Sequence, residues 1–337
     1  MQMIIEKLLS QHKLKDDELS SIFEQMFTGK LSESQISCFL TAWRICGESK
    51  SELYTGAAAM RQHAQKPTIN RSLGPLMDNC GTGGDGSQSF NISTAAAIIA
   101  ASVGCKIAKH GNRSISSKCG SADLLFAAGL PDNLNPQQSL TLLEKTGFTF
   151  FFAPNFHPVM KYVMPVRKAL GVRTIFNLLG PLANPINPDY QVIGVGISSA
   201  LLPIAEAAQK LKIKKALVIH SKDGLDEISP ADITNGFLVN EDKIEPFTFD
   251  PLSVGIKGSL SDLRGGEVEF NLDILHKLLA NETVSARDAV ILNAATVIWL
   301  YGKASSIQDG LEQANKAISS FHTRDFFNQW LEKAREV

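Results

Sequence analysis

The chain has 337 residues, of which 44% are hydrophobic and 20% are charged, and this ordinary globular composition excludes wholesale disorder. Its 33 Lys and Arg residues against 34 Asp and Glu residues give a net charge of −1, which disfavours nucleic-acid binding through bulk positive charge. A chain of this length predicts about two domains.

The cysteine content and the hydropathy favour a cytoplasmic protein. The five cysteines form no CxxC pair and no zinc-ligand spacing with histidine, and a sparse, odd set is typical of reduced thiols. The apolar N-terminus is interrupted by Glu6 and Lys7, unlike a signal peptide. The longest weakly polar stretch, residues 92–105, is too short to cross a bilayer. We therefore expect no contact with membranes or nucleic acid.

The first 66 residues predict a small helical domain. Ser32 with Gln35 and Ser49 with Glu52 form capping boxes that start two helices, and Gly47 ends the first of these. An earlier helical face is predicted by the spacing of Leu19, Ile22, Phe23, Met26 and Phe27. These apolar faces exceed what a thin helical layer can bury alone, so we expect some of them to pack on a second copy.

The pattern of hydrophobic residues changes at about residue 73, where short apolar runs begin to alternate with helical stretches. The runs lie at residues 106–108, 148–152 and 216–220, and the helical stretches at 95–102, 122–128 and 288–301. This alternation predicts an α/β domain with a mostly parallel central sheet covered on both faces. Residues 157–188 contain Gly-Pro and Asn-Pro turns and are interpreted as a hinge or crossover. The predicted domains are 1–72, with a contribution from the hinge, and 73–337.

The densest cluster of glycines, four in six residues, lies at residues 81–86, here called the glycine loop. Glycines leave backbone N–H groups accessible and adopt positive φ angles, so such a loop can cradle an anion. Residues 91–94 (NIST) then place hydroxyls at a helix N-terminus, where the dipole favours phosphate. The alternative is a flexible loop before a helix that Ser93 caps. The cluster matches neither GxGxxG nor GxxxxGK[ST].

Two further polar segments follow predicted strands. Residues 109–123, the basic loop, hold three cations, one imidazole, one asparagine and four serines, and ligands of open α/β sheets bind at such strand ends. Residues 223–227 (DGLDE), the acidic loop, offer adjacent carboxylates of the kind that bind Mg²⁺. The alternatives are a solvated polar loop and an acidic surface turn. Three of the four cations Lys161, Arg167, Lys168 and Arg173 are interpreted as a solvated helix face.

Several motifs together carry a family resemblance. They are GTGGD (81–85), NIST (91–94), KHGNR (109–113), SSKCGSAD (116–123), VRKALGVRTIFNLLGPLANP (166–185) and DGLDE (223–227). In this order they resemble the anthranilate phosphoribosyltransferase family. The resemblance implies the fold of nucleoside phosphorylases and class IV phosphoribosyltransferases, with a homodimer joined through the helical domain. Cys80 and Cys119 depart slightly from the family pattern, and Cys119 raises thiol-reactive inhibition as a hypothesis.

The resemblance also implies the reaction and the site. Anthranilate and 5-phosphoribosyl diphosphate (PRPP) would give N-(5-phosphoribosyl)anthranilate and pyrophosphate, the second step of tryptophan biosynthesis. The implied PRPP-binding residues are Gly81, Gly84, Asp85, Ser89, Asn91, Ile92, Ser93, Thr94, Lys109, His110, Gly111, Asn112, Arg113, Ser114, Ile115, Ser116, Ser117 and Ser121. The implied anthranilate contacts are Gly81, His110, Asn112 and Arg167, and the implied ligands of two Mg²⁺ ions are Ser93, Asp226 and Glu227.

No catalytic acid or base is assigned. Loss of pyrophosphate needs its charge neutralised by N–H groups, Lys109 and Mg²⁺, whereas an aromatic amine with a free lone pair needs little help from a base. One rival is a pyrimidine nucleoside phosphorylase of the same fold, which carries a different histidine- and glycine-rich run at KHGNR. Another is a non-catalytic nucleic-acid-binding relative, which would lose GTGGD and KHGNR and gain a basic surface.

Overall fold

The N-terminal part of the chain is helical in the computed structural model, which describes residues 1–68, 73–114 and 118–337. The first four helices are α1 (Gln2–Leu9), α2 (Asp16–Phe27), α3 (Glu33–Cys46) and α4 (Lys50–Gln62). The Gln35 N–H donates to Ser32 Oγ at 3.3 Å and the Ser32 N–H donates to Gln35 Oε1 at 2.9 Å. This reciprocal pair starts α3, and Ser49 with Glu52 starts α4 in the same way. The predicted capping boxes are confirmed.

A seven-stranded sheet forms the centre of the larger domain. Its strands are β1 (Met77–Asn79), β2 (Ile107–Gly111), β3 (Phe148–Phe152), β4 (Tyr190–Gly194), β5 (Lys215–Ser221), β6 (Thr234–Asn240) and β7 (Lys243–Phe249). The order is β3-β2-β1-β4-β5-β6-β7, with parallel pairing from β3 to β5 and antiparallel pairing of β6 and β7 at one edge. The mostly parallel sheet is therefore confirmed.

The strand order reverses between β1 and β4. From β1 the chain proceeds outward through β2 and β3, then returns to place β4 on the other side of β1. At such a switch point the loops that leave two adjacent strands diverge and open a crevice at their carboxyl ends. The glycine loop follows β1 directly, so it lies at this crevice.

Helices cover both faces of the sheet. The remaining helices are α5 (Ile92–Ser102), α6 (Ser121–Ala127), α7 (Pro136–Thr146), α8 (Ala153–Phe156), α9 (Met164–Leu170), α10 (Ile175–Leu179), α11 (Leu201–Lys210), α12 (Val268–Leu279), α13 (Arg287–Tyr301), α14 (Ile307–Ser319) and α15 (His322–Arg335). Helices α5 and α12 to α15 build one core against the sheet, with α13 buried on nearly every side. No helix in the described ranges is long and apolar enough to cross a membrane.

The other face of the sheet carries α11 and, beyond it, the helical domain. One continuous apolar core joins α1 to α4 with α9, α10, α11 and the buried side chains of β4 and β5. The segment interpreted as a hinge therefore supplies two helices to the helical domain. Leu19, Ile22, Phe23, Met26 and Phe27 are all buried within the chain itself. These five side chains need no second copy to be covered, because they lie in the core shared with α3, α4, α9, α10 and α11. The packing of a second copy on other apolar residues of the helical domain stays a prediction.

Candidate active site

The glycine loop is fixed to the end of β4. The Thr82 N–H donates to Gly194 O at 2.8 Å, and Thr82 Oγ1 accepts a hydrogen bond from the Gly196 N–H at 2.9 Å. The backbone of Gly83 has a φ of +63°, in the region that favours glycine, and its N–H donates to Asp226 Oδ2 at 2.8 Å. The loop is thus held between β4 and the acidic loop, and its backbone lines the crevice.

Helix α5 begins at the same crevice. Its N-cap residue, Asn91, does not cap the first turn with its side chain. Instead Asn91 Nδ2 donates to Cys119 O at 3.0 Å, and Asn91 Oδ1 accepts a hydrogen bond from Asn271 Nδ2 at 3.0 Å. The positive end of the helix dipole, with the Ser93 hydroxyl, therefore points toward the cavity that Ser93 and Thr94 line.

Lys109 is a buried cation at the end of β2, with only 2% of its surface exposed. Its ammonium donates to Asn79 O at 2.5 Å and to Ser93 Oγ at 3.3 Å. Burying a charge is costly without partners, and two carboxyls, Asp78 and Glu227, lie close enough for the Lys109 charge to lower their pKa values. It is placed to neutralise an anion at the start of α5.

His110, the next residue, is held as a neutral imidazole. Its backbone N–H donates to Asp78 Oδ1 at 3.1 Å, and its Nδ1 lies 3.2 Å from Gly180 O. Burial and then the nearby His157 lower the pKa of His110 to about 3. Because a carbonyl can only accept, the proton is assigned to Nδ1, which leaves the lone pair on Nε2. Within the described residues Nε2 has no hydrogen-bond partner.

Asp226 and Glu227 follow β5 and face the glycine loop. Burial raises the pKa of both carboxyls, and repulsion raises it further: from Asp85 on Asp226, and from Asp226 on Glu227. The Lys109 charge and a hydrogen bond from Ser93 offset part of this effect on Glu227. Clustered carboxylates that repel one another form a site that favours a bound cation.

The donor set fits Mg²⁺ in a particular way. No group of three or more His, Cys, Asp or Glu side chains that could hold a metal ion occurs in the described part of the chain. Mg²⁺ usually takes one or two carboxylates together with water and substrate phosphate oxygens, rather than a cage made only of protein ligands. Ser93, Asp226 and Glu227 around an anion-binding crevice fit such a partial set.

Asp223, also in the acidic loop, has a different role. Its Oδ2 accepts a hydrogen bond from Ser229 Oγ at 2.5 Å, and its Oδ1 accepts one from the Leu225 N–H at 3.2 Å. These bonds stabilise the turn itself, so Asp223 is not aimed at the crevice.

Arg167, on α9, reaches the opposite wall of the cavity. One guanidinium nitrogen donates to Asn177 Oδ1 at 3.3 Å, and the guanidinium lies 5.7 Å from the centre of the Phe176 ring. Of the other three cations of this segment, Lys168 is exposed, and Lys161 is exposed where it lines the cavity. Arg173, however, pairs with Glu48 at 3.5 Å and is only 20% exposed, so for Arg173 the predicted solvated face was wrong.

Part of the basic loop is held by Asp123. The Arg113 guanidinium pairs with Asp123 Oδ1 at 3.0 Å and lies 5.2 Å from the centre of the Phe126 ring. The Ser114 N–H donates to Asp123 Oδ2 at 3.1 Å. The predicted residues Ile115, Ser116 and Ser117 lie outside the described residues.

One cavity of about 900 Å³ brings these groups together. Every predicted site residue within the described ranges lines it: Gly81, Gly84, Asp85, Ser89, Asn91, Ile92, Ser93, Thr94, Lys109, His110, Gly111, Asn112, Arg113, Ser114, Ser121, Arg167, Asp226 and Glu227. Apart from Arg167, the cavity-lining residues between 153 and 180 were not predicted from the sequence; they include His157, Phe176, Asn177 and Gly180. The turns at residues 180–185 mark this segment as a hinge, but no pattern in it predicts which side chains face the cavity.

Comparisons with known proteins match this architecture. Residues 2–64 match the helical bundle domain of a glycosyl transferase family, and residues 73–323 match the a/b domain of that family. An anthranilate phosphoribosyltransferase from Hydrogenovibrio crunogenus is 41% identical over 98% of this chain and 97% of its own length.

Solved structures agree. The anthranilate phosphoribosyltransferase of Thermus thermophilus matches with a TM-score of 0.90 and 36% identity, over 98% of this chain and 99% of that one. The Saccharomyces cerevisiae enzyme in complex with PRPP and Mg matches with a TM-score of 0.90 and 26% identity, over 99% of this chain and 97% of that one.

The helical bundle, the parallel sheet and the anion-binding crevice define a two-domain glycosyl transferase. Within that class, the identity over nearly the whole length is decisive: the chain belongs to the anthranilate phosphoribosyltransferase family.

Proposed function

We propose that the chain transfers the phosphoribosyl group of PRPP to the amine of anthranilate, giving N-(5-phosphoribosyl)anthranilate and pyrophosphate in tryptophan biosynthesis. One observation carries the proposal: a single cavity is lined by anion-binding groups, by the carboxylates of the acidic loop, and by Arg167 with a neutral His110. Both relatives cited above with solved structures are named for this activity.

The diphosphate of PRPP would bind along the glycine loop and the N-terminus of α5. Backbone N–H groups, the helix dipole and the Lys109 ammonium all favour anionic oxygen there. As the bond from C1 of the ribose to the diphosphate oxygen breaks, negative charge grows on the leaving group, and these fixed donors stabilise it. The PRPP-binding set predicted from the sequence stands as part of this proposal, including residues 115–117.

Magnesium is proposed as the cofactor, with Ser93, Asp226 and Glu227 as its protein ligands and two ions as the expected number. A bound Mg²⁺ neutralises diphosphate charge as a Lewis acid. The chain's own contribution is to hold two carboxylates in a partly buried loop opposite the glycine loop, where they repel each other unless a cation is present. The yeast relative, solved in complex with PRPP and Mg, supports magnesium as the cofactor.

Anthranilate would bind at the other wall, against Gly81, His110, Asn112 and Arg167. The planar guanidinium of Arg167 matches a carboxylate in bidentate fashion. His110 is neutral, so it does not compete with Arg167 for the carboxylate, and the aromatic amine keeps its own lone pair free to attack C1. The C1–N bond then forms as the C1–O bond breaks, and the amine proton is released afterwards, so no strong base is required.

The assembly and location are proposed on the same basis. The chain would form two domains, 1–72 with helices from the hinge and 73–337, and a homodimer through the helical domain. A cytoplasmic location is consistent with five cysteines present as thiols.

The test is an assay with the purified chain, PRPP, Mg²⁺ and anthranilate. Anthranilate fluorescence should fall, one pyrophosphate should form for each anthranilate consumed, and a chelator should stop the reaction until Mg²⁺ is restored. A second arm supplies pyrimidine nucleosides with inorganic phosphate. Release of free base there, with no consumption of anthranilate, would instead identify a nucleoside phosphorylase.

A further inference from the structure

Asn293 is a buried amide in α13, a helix whose residues are mostly buried. It lies in the middle of α13, is 4% exposed, and is flanked by Leu292 and Ala294, which are both fully buried. A polar group in such a place costs free energy unless its hydrogen bonds are made. The Asn293 side chain therefore needs hydrogen-bond partners, and the structure contains them.

The side chain of Asn293 binds both polar groups of one backbone residue. Its Oδ1 accepts a hydrogen bond from the Ile228 N–H at 2.9 Å, and its Nδ2 donates to Ile228 O at 2.9 Å. The second hydrogen of Nδ2 goes to Ala289 O, 2.8 Å away in the preceding turn of α13. The amide thus pairs with Ile228 as a neighbouring β-strand would, and it is anchored to its own helix at the same time.

Ile228 follows Glu227 directly. The planar peptide unit that contains the Ile228 N–H also contains the Cα of Glu227. A hydrogen bond that holds this N–H therefore fixes the Cα from which the Glu227 side chain extends. The first half of the acidic loop is held by Asp223 and by the hydrogen bond from the Ser221 N–H to Leu225 O at 2.9 Å. At the Glu227 end, the rigid anchor comes from α13.

Helix α13 also limits the space behind the acidic loop. A cavity of about 10 Å³, lined by Asn293, Val297, Ser93 and Glu227 among others, lies between α13 and Glu227. Such a volume is near the minimum for one water molecule, so the loop has little room to sink toward α13.

We propose that Asn293 is a positioning residue that holds Glu227 in place for the magnesium ion bound with the diphosphate. This inference rests on the proposed function, because it assumes that Glu227 is a metal ligand. Asn293 itself touches neither substrate nor metal: it acts through the backbone of Ile228.

The variant Asn293→Leu removes the amide while keeping a side chain of similar size. Thr296→Val is the matched control, because Thr296 is equally buried one turn further along α13 and its hydroxyl bonds within the helix, to Leu292 O at 3.0 Å. Mn²⁺ alone is titrated into each metal-free protein, and free Mn²⁺ is followed by electron paramagnetic resonance. Melting temperatures are measured in parallel.

The expected result is a rise of roughly 10- to 100-fold in the Mn²⁺ dissociation constant for Asn293→Leu, as for other residues that orient a metal ligand. Thr296→Val should lose thermal stability without this rise. In the fluorescence assay, Asn293→Leu should need correspondingly more Mg²⁺ for half-maximal activity and recover much of its rate at saturation. Equal Mn²⁺ affinity in the two variants would overturn the positioning role and reduce Asn293 to a packing residue.

If Asn293→Leu does not fold, hydrogen exchange of the wild-type protein tests the proposal without a variant. The Ile228 amide should be protected in the metal-free protein, and rapid exchange there would overturn the proposal without any variant. A wild-type protein that binds no Mn²⁺ either alone or with PRPP present would remove the metal site and the role of Asn293 together. Failure to consume anthranilate with intact Mn²⁺ binding would instead count against the proposed function alone.

Discussion

Arg167 presents its guanidinium to the cavity in one defined orientation. The contact with Asn177 Oδ1 holds one nitrogen, and the Phe176 ring holds the plane. Burial lowers the pKa of Arg167, but a guanidinium remains cationic at neutral pH. Lys168, the next residue, is exposed and has no place in the cavity wall. The two neighbouring cations therefore allow a direct comparison.

Arg167→Ala is expected to raise the KM for anthranilate about 10- to 150-fold, because loss of a charge-assisted hydrogen bond costs roughly 1.5–3 kcal/mol. The KM for PRPP should change little, since the diphosphate is proposed to bind at the glycine loop. Lys168→Ala is the control and should leave both constants unchanged. Steady-state kinetics with each substrate varied in turn make the comparison. Equal increases for both substrates would place Arg167 outside the anthranilate site.

His110 and His157 form a buried pair of rings, with centroids 5.2 Å apart in an edge-to-face arrangement. Burial lowers the pKa of His157 to about 4, and burial with the neighbouring ring lowers that of His110 to about 3. Both imidazoles are therefore neutral in the folded protein near neutral pH. In the unfolded chain they titrate near the ordinary value of about 6.5.

His157→Gln should therefore change how stability depends on pH. A histidine with a lowered folded pKa contributes fully above about pH 6.5 and loses that contribution as the pH falls toward 4, because only the unfolded chain takes up the proton. From pH 8 to pH 5 the wild type should lose about 2 kcal/mol through His157 that the Gln variant does not lose. Urea unfolding of both proteins at both pH values measures the difference. A stability gap that stays constant over this range would mean that His157 is not held neutral.

Cys119 illustrates how burial changes a prediction made from the sequence. Its place beside the basic loop suggested a reactive thiol. The residue is 4% exposed, however, and burial raises the pKa of its thiol to about 11. A buried thiol that is almost never ionised reacts slowly, so inhibition by thiol reagents is not expected at this position.

The candidate site could be predicted from the sequence wherever its residues are contiguous. The glycine, basic and acidic loops are each a short run of unusual composition, and each follows a strand. His157, Asn177 and Gly180 could not be found in this way. They reach the cavity because α9 and α10 pack into the helical domain, and nothing local in the sequence encodes that packing.

Among the elements, the acidic loop depends on the end of β4. A Cβ added at Gly194 would lie 1.7 Å from Asp226 O, so only glycine allows the loop to cross the strand this closely. The Gly83 N–H completes the contact from the other side, at 2.8 Å from Asp226 Oδ2. The carboxylates are thus placed by backbone contacts between three separate segments.

Asp226→Ala and Glu227→Ala should each abolish most of the turnover without unfolding the protein, since neither carboxylate contributes to an apolar core. Removal of one of two repelling charges should also leave the metal-free melting temperature unchanged or higher. Ligand binding stabilises a folded protein in proportion to the logarithm of ligand concentration, so Mg²⁺ with PRPP should raise the wild-type melting temperature but not that of either variant.

Glu245→Ala is the suitable control for these variants, because Glu245 is an exposed carboxylate on the edge strand β7. Asp223→Ala is not a neutral comparison, since Asp223 stabilises the turn through Ser229 and Leu225. If both the Asp226 and the Glu227 variants kept wild-type activity and Mg²⁺ dependence, the acidic loop would be an ordinary surface turn and not a metal site.

Helices and strands that are determined by their own sequence were predictable. Those that form only through contacts with distant parts of the chain were not. Helices α3 and α4 start at capping boxes, and β3 is an unbroken aromatic run apart from Thr149. Strand β1 is a three-residue strand, and its buried Asp78 is tolerated because Asn184 Nδ2 donates to Asp78 Oδ2 at 2.9 Å. The antiparallel pair β6 and β7 was not singled out, because β7 is mostly exposed and contains Pro246.

In the molecule as a whole, the helical domain forms part of the cavity rather than standing apart from it. Arg61, on α4, is 6% exposed, and its Nε donates to Leu182 O at 2.7 Å, in the short helical turn that precedes β4. Helices α9 and α10 belong to the same core and carry Arg167 and Asn177. The placement of the helical domain against the sheet therefore sets where Arg167 and Asn177 stand in the cavity.

The exposed side of the helical domain is the surface on which we expect a second copy to pack. Ile45 is 72% exposed, Leu9 is 61% exposed and Val172 is 62% exposed. The first two lie at the ends of α3 and α1, which meet where Cys46 Sγ contacts Leu8 O at 3.3 Å. Val172 adjoins Arg173, which pairs with Glu48 just beyond α3. Exposed apolar side chains grouped at one corner are typical of an interface.

Light scattering at micromolar concentration should give twice the chain mass of 36.6 kDa. Ile45→Glu combined with Val172→Glu should convert this dimer to a monomer, because two charges would then have to be buried at the contact. Phe270→Glu is the matched control: Phe270 is 53% exposed but lies on α12, away from the helical domain, so this variant should remain dimeric. Melting temperatures would show that both variants fold. A wild-type protein that scatters as a monomer would rule out the dimer, and a dimer broken by Phe270→Glu alone would place the interface on the α/β domain instead.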